Sequence, residues 1–163
     1  MKCLVGYVTK TGTTEEVAAA IGQALRAKGF DADVKPLDAV AGVEGYDLLV
    51  LGSPVNGMRV LPEFNAFLKA KVAGSGKPVD LFIVSYLYDA GRTIWKRAIR
   101  KELERLKVLV KPRSIEIVAG RLPKALPGFA RLIFGTPRDL PLDIRDWDKI
   151  KAWGQAFDAA PSG

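Results

Sequence analysis

Short apolar runs alternate with amphipathic ones along this chain, and no other feature narrows its fold as much. Lys2–Thr9 reads as a buried first strand. Thr14–Lys28 reads as a helix, because Val17, Ala18, Ile21, Ala24 and Leu25 recur at helical spacing and Gly29 ends it as a C-cap glycine. Ala32–Pro36, Tyr46–Gly52, Val79–Ser85 and Ser114–Gly120 read as further strands. Tyr46–Gly52 is apolar on both faces, as a central parallel strand must be. Helices are predicted at Leu61–Val72, carrying Phe64, Phe67 and Leu68, and at Arg92–Lys107, with Ile94, Trp95, Ala98, Ile99 and Leu103 inward. A closing helix is predicted at Asp146–Ala159, anchored by Trp147, Ile150, Trp153 and Phe157, and the tail Ala160–Gly163 is expected to fray. Such alternation implies a parallel sheet with right-handed crossovers: an α/β, doubly wound, five-stranded sheet of order 2-1-3-4-5. With 163 residues, 48% of them hydrophobic, the chain suits one domain over 1–163 and is too short for two. No repeat or low-complexity linker interrupts it. In such sheets the ligand lies at the carboxyl ends of the strands, near the switch between strands one and three.

The residues at that place are Thr9-Lys10-Thr11-Gly12-Thr13-Thr14, directly between the first strand and the first helix. A helix N-terminus offers unpaired N–H groups and partial positive charge, so it binds phosphate. Gly12 lets the backbone pass close to a ligand, and the threonine hydroxyls suit a phosphate monoester held without a metal. Neither the Walker pattern nor G-x-G-x-x-G is present. Helix capping by Thr13 or Thr14, with a Glu nearby, explains one of these threonines. It does not explain four of them around a glycine after a buried strand.

Other chemistry is limited. The chain has no histidine, which removes the commonest general base and metal ligand. Its one cysteine, Cys3, lies in the first strand and reads as a buried structural thiol; it forms no internal disulfide. The N-terminus lacks the apolar length and cleavage site of a secretory signal, so an intracellular protein is expected. The formal net charge is +7, and from Arg92 to Arg138 Lys and Arg outnumber Asp and Glu by 13 to 3. An anionic partner on one side of the molecule is the physical expectation.

Thr9–Thr14 resembles the flavodoxin phosphate loop, T/S-x-T-G-x-T, and the element order is similar to the flavodoxin-like family over nearly the whole chain. The resemblance implies FMN as cofactor, with its ring between the loops after strands three and four. The first loop is Ser53-Pro54-Val55-Asn56-Gly57-Met58-Arg59, where Gly57 and Pro54 fit a tight turn and Asn56 and Gly57 are candidates to meet flavin N5. The second is Ser85-Tyr86-Leu87-Tyr88-Asp89-Ala90-Gly91, where Tyr86 or Tyr88 can stack on the ring and Tyr86 and Leu87 are the favoured lining. On the plainer reading, both loops only connect strands to helices. The first loop lacks the tryptophan often found in electron-carrier flavodoxins, and the second lacks their acidic-glycine pattern. The chain is also basic where those carriers are acidic.

About twenty-five residues, Arg121 to Arg145, separate the fifth strand from the closing helix, a length that usually marks function. In Arg121–Gly135 cations interleave with Leu, Phe and Ile. Three readings fit: peripheral contact with the inner face of a membrane, cover for a pocket holding an apolar anionic small molecule, or an ordinary covering loop. Nucleic acid is disfavoured, since aromatics are few and no binding module is present. Ile117–Pro123, the insertion itself and Arg145-Asp146-Trp147 resemble the flavodoxin-type, menaquinone-dependent protoporphyrinogen IX dehydrogenases. That resemblance implies oxidation of a porphyrinogen through FMN, with electrons passed to a quinone. Its first flavin loop usually carries aromatic and histidine residues, whereas this chain has Val55-Asn56-Gly57-Met58. Arg59, Arg92, Lys96, Arg121 and Lys124 are candidates for anion contact.

Two other functions fit the same cofactor site: an FMN electron carrier docking on a redox partner protein, and a member that has lost flavin and serves as an interaction module. The intact threonine-rich loop argues against the second. A receiver-like domain needs acidic residues after the first strand to hold Mg²⁺, and none is there.

Overall fold

The computed structural model describes residues 1–122, 124, 126–136 and 141–158. Its strands are β1 (Lys2–Tyr7), β2 (Asp31–Pro36), β3 (Leu48–Asn56), β4 (Arg59–Val60), β5 (Val79–Val84) and β6 (Ser114–Val118). Its α-helices are α1 (Thr13–Ala27), α2 (Pro62–Phe67), α3 (Tyr86–Ala90), α4 (Thr93–Val110), α5 (Gly128–Phe134) and α6 (Trp147–Gln155). A single π-turn, Leu68–Val72, continues α2. The expected tail, Ala159 of the closing helix and Pro123 lie outside the described residues.

The five parallel strands stand in the order β2-β1-β3-β5-β6, the doubly wound order expected. The register sets Val5 beside both Val34 and Val50, and Leu51 beside Leu81. Side chains alternate across the sheet and so feed two cores. Leu4, Leu49, Leu51, Leu81 and Ile83 meet Phe64, Leu68, Ile99, Leu103 and Leu106 on one face. Cys3, Val5, Val50, Phe82 and Val84 meet Val17, Ile21, Leu25, Ile150 and Phe157 on the other. The second core needs small residues at two close approaches. A Cβ on Gly154 of α6 would lie 2.8 Å from Cβ of Ala24 on α1, and one on Gly52 would strike the Phe82 ring. Burial pushes the Cys3 thiol up to about 12, with Asp80 adding to the effect.

Three local expectations are corrected. Ser53, Pro54, Val55 and Asn56 are not loop: β3 runs on through them and turns back at once into β4, pairing Val55 with Val60 and Asn56 with Arg59. The connection is the two-residue turn Gly57-Met58, with φ of 57° and 63°, which explains why glycine opens it. Ser85–Gly91 is not an open loop either. Ser85 caps α3 by accepting the Tyr88 N–H at 3.2 Å, and Gly91 ends it. Ile94 does not face inward but is exposed, because the inward stripe of α4 begins deeper, at Ile99.

The β3–β4 hairpin is pinned from behind. Ser53 Oγ accepts the Leu61 N–H at 3.2 Å, and the carboxylate of Glu102 on α4 accepts the Val60 N–H at 3.3 Å. Glu102 is itself gripped twice by Arg105, at 2.7 and 2.8 Å, which holds its carboxyl below the usual range. Arg105 also reaches Asn65 Oδ1, tying α4 to α2.

Candidate functional site

The phosphate turn is ordered by its own side chains. Thr9 Oγ1 accepts the Gly12 N–H at 3.0 Å, and the hydroxyls of Thr11 and Thr13 lie 3.3 Å apart. Gly12 is the N-cap of α1, with φ 82° and ψ −8°, a left-handed conformation that favours glycine. The expected capping by Thr13 or Thr14 is corrected: no side chain caps this helix. The first N–H groups of α1 therefore lack a side-chain acceptor, as a ligand-binding helix end requires. A Cβ built on Gly12 meets nothing within 4 Å, so the space over the turn is open.

A cavity of about 220 Å³ lies at this turn. Thr9, Lys10, Thr11, Thr13 and Thr14 form one wall, and Pro54, Val55 and Asn56 from the end of β3 form a second. Val84 and Tyr86 supply a third, and Gly120, Arg121 and Leu122 after β6 close it. Among the described residues none of the lining is acidic, while Lys10 and Arg121 are cationic. Hydroxyls, a helix N-terminus and two cations make a donor set that fits a phosphate ester. A larger cavity of about 570 Å³ shares Thr9, but it sets two carboxylates, Asp38 and Glu63, beside Lys71, a lining less favourable to phosphate. Chemistry, not volume, selects the smaller one.

The other sequence-predicted residues are placed differently. Gly12 turns the backbone at the cavity's edge without lining it, as Gly57 and Met58 do for the hairpin; Met58 packs toward the core. Tyr86 lines the cavity, buried, with its hydroxyl donating to the Pro141 carbonyl at 2.8 Å; burial raises its pKa. Leu87 does not line it. Tyr88 packs against the core and accepts from Arg100 at 3.3 Å. Ser85 and Gly91 serve α3, and Asp89 lines a separate cavity with Glu116 and Lys149. Of the anion-contact candidates, only Arg121 reaches the phosphate turn; Arg59, Arg92, Lys96 and Lys124 do not.

Sequence reasoning missed how the insertion is held. Its two ends pair as a short ribbon: Arg121 bridges Asp143, and the Leu122 N–H donates to the Leu142 carbonyl at 2.8 Å. Glu16, in the first turn of α1, receives Arg121 at 3.0 Å and Arg145 at 2.5 Å. Arg145 also holds Asp143 and lies 4.4 Å from the Trp147 ring centre, with its side chain only 4% exposed. The Arg145 guanidinium keeps the carboxyls of Glu16 and Asp143 below their ordinary range. The signal was partly visible: Arg145 opens the Arg145-Asp146-Trp147 run, and Glu16 follows the phosphate loop.

A doubly wound sheet with an uncapped, hydroxyl-lined helix N-terminus at its switch point defines a mononucleotide-binding class of α/β protein. The chain belongs to the flavodoxin domain family, whose model matches residues 4–135. Similar solved structures include oxidised flavodoxin 1 from Bacillus cereus, 20% identical, covering 94% of this chain and 95% of that one, at a TM-score of 0.59. Rubredoxin:oxygen oxidoreductase from Desulfovibrio gigas is 16% identical at a TM-score of 0.62, and the match covers 94% of this chain but 34% of that one. A Fusobacterium nucleatum flavodoxin variant bound to flavin mononucleotide is 20% identical at 0.52, covering 72% of this chain and 67% of that one. These likenesses establish the fold. No curated protein sequence matches the chain. No described helix is long and apolar enough to cross a membrane.

Proposed function

We propose that this chain binds FMN at the Thr9–Thr14 turn and works as a redox protein. The observation that carries the reading is the cavity itself. One wall is an uncapped helix N-terminus with hydroxyls and, among the described residues, no acid, and the opposite walls come from the ends of β3, β5 and β6. Thr9, Thr11, Thr13, Thr14 and the first N–H groups of α1 hold the phosphate, and Arg121 adds a guanidinium. Pro54–Asn56 and Tyr86 bound the rest of the cofactor. When bound, FMN supplies the electron or hydride chemistry. The chain's residues orient it, shield it from water and fix the hairpin through Glu102 and Ser53.

We infer further that the protein is an oxidoreductase resembling the quinone-linked protoporphyrinogen IX dehydrogenases. Supporting this, the basic insertion is clamped beside the cavity, where it can meet an apolar substrate bearing carboxylates. A second reading is an FMN carrier without its own substrate, favoured by the full-length likeness to the Bacillus cereus flavodoxin.

The first test is FMN titration of the wild type and of Thr11→Ala/Gly12→Val, followed by flavin fluorescence, with circular dichroism to check the fold. Losing the close turn and a charge-assisted hydrogen bond weakens binding by about a hundredfold. Equal affinity in a folded variant would place the phosphate elsewhere. The two redox readings then separate on assay: quinone-dependent oxidation of protoporphyrinogen IX supports the enzyme, whereas electron delivery to a partner protein alone supports the carrier.

A further inference from the structure

The short helix α5 is turned inside out. Its apolar residues at i, i+3 and i+4, namely Phe129, Leu132 and Ile133, are 70%, 71% and 53% exposed, while Ala130 is buried. An amphipathic helix on a globular surface normally buries that stripe. The exposure is held in place by fixed contacts at the other side. The Arg92 N–H donates to the Phe134 carbonyl at 3.0 Å, Trp95 Nε1 donates to the Ile133 carbonyl at 3.3 Å, and the Trp95 and Phe134 rings meet edge-on at 5.4 Å. These contacts seat the end of α5 on the first turn of α4, which presents Ile94, itself 64% exposed. A lone exposed apolar residue such as Val108 needs no explanation, but four at one junction do.

Basic residues dominate the sequence that leads into this junction. From Ile117 to Arg138 the chain has no Asp or Glu. On the opening turns of α4, Arg92, Lys96 and Arg97 make no ion pair among the described residues, unlike Arg105 and Lys107 further along. A bilayer with anionic headgroups takes both features together: cations meet phosphates while Phe, Leu and Ile enter the acyl boundary. A stable protein interface needs roughly 800 Å² per partner, more than four side chains on two helix ends supply.

We propose that the ridge of Ile94, Phe129, Leu132 and Ile133, rimmed by Arg92, Lys96 and Arg97, docks this protein on an anionic lipid bilayer. The insertion that carries Phe129, Leu132 and Ile133 also supplies Arg121 and Leu122 to the phosphate cavity, so docking holds the candidate site at the membrane surface. The inference stands on exposure and charge and does not depend on FMN.

The test is co-sedimentation of the full chain with phosphatidylcholine vesicles, alone or mixed with phosphatidylglycerol, at low and raised salt. Binding requires phosphatidylglycerol and falls with salt. Phe129→Glu/Leu132→Glu reduces it at least about tenfold, and Arg97→Gln, away from the apolar ridge, weakens it by about fivefold. Both variants change exposed positions, and circular dichroism confirms their folds. No binding at low salt overturns the proposal, as does binding to phosphatidylcholine alone that ignores the double variant. A dimer of the wild type that the double variant converts to monomer also overturns it, since the ridge would then be an interface between copies.

Discussion

Two walls of the same cavity are built by opposite means. The Thr9–Thr14 wall is local: a strand end, a left-handed glycine and hydroxyls bonding within three residues of each other. The Arg121–Leu122 wall is assembled at a distance, through a carboxylate on α1 that grips guanidiniums 105 and 129 positions away. Backbone geometry holds the first and charge holds the second, so different perturbations loosen them.

Arg145→Ala gives the largest expected effect. Removing a nearly buried cation from two carboxylates costs about 2 kcal/mol after allowing for the exposure of Glu16 and Asp143. Denaturant unfolding reads this cost. Hydrogen exchange should show lost protection over α5 with α1 unchanged; equal loss in both helices would erase the contrast between the walls. Gly12→Ala comes next, costing about 1 kcal/mol for a side chain in a left-handed cap. It should lower FMN affinity without loosening the insertion, and a variant as stable as wild type would show the turn tolerates another conformation. Tyr86→Phe removes the hydroxyl bond to Pro141 and costs about 0.5–1 kcal/mol by thermal unfolding, with the cavity kept. An effect within error would mean this bond adds nothing to the tie between insertion and sheet.

Of these two walls, acid acts on the charged one. Glu16 and Asp143 have folded pKa values below their ordinary ones, so their contribution is complete above the unfolded value, about 4. It is lost as pH falls through the lowered folded values. The emission of Trp147, which stacks on Arg145, should therefore change below about pH 4 before far-ultraviolet dichroism does. Simultaneous change would mean the clamp and the sheet melt together.

Much of the architecture was legible because it is periodic. Strand order followed from the alternation of Lys2–Thr9, Tyr46–Gly52 and Val79–Ser85 with amphipathic stretches, and the phosphate turn from residues adjacent in the chain. The hairpin was not legible: β4 has two residues, too few for a pattern, and Pro54 reads as a breaker although it sits in β3 beyond the last pair with β1, Tyr7 with Gly52. The clamp was not legible because nothing in a linear reading links Glu16 to Arg145. Ile94 misled for a related reason: its helical spacing fits an inward stripe, and only the docking of α5 on that turn shows that it faces out.

The burial of Cys3 has a practical consequence. The protein's only thiol sits in a central strand, inaccessible and almost wholly protonated at neutral pH. A thiol reagent can react with it only in molecules whose β1 has left the sheet. The labelling rate under native conditions is thus a clock for rare global opening, readable in the unmodified chain and blind to anything that happens at the insertion.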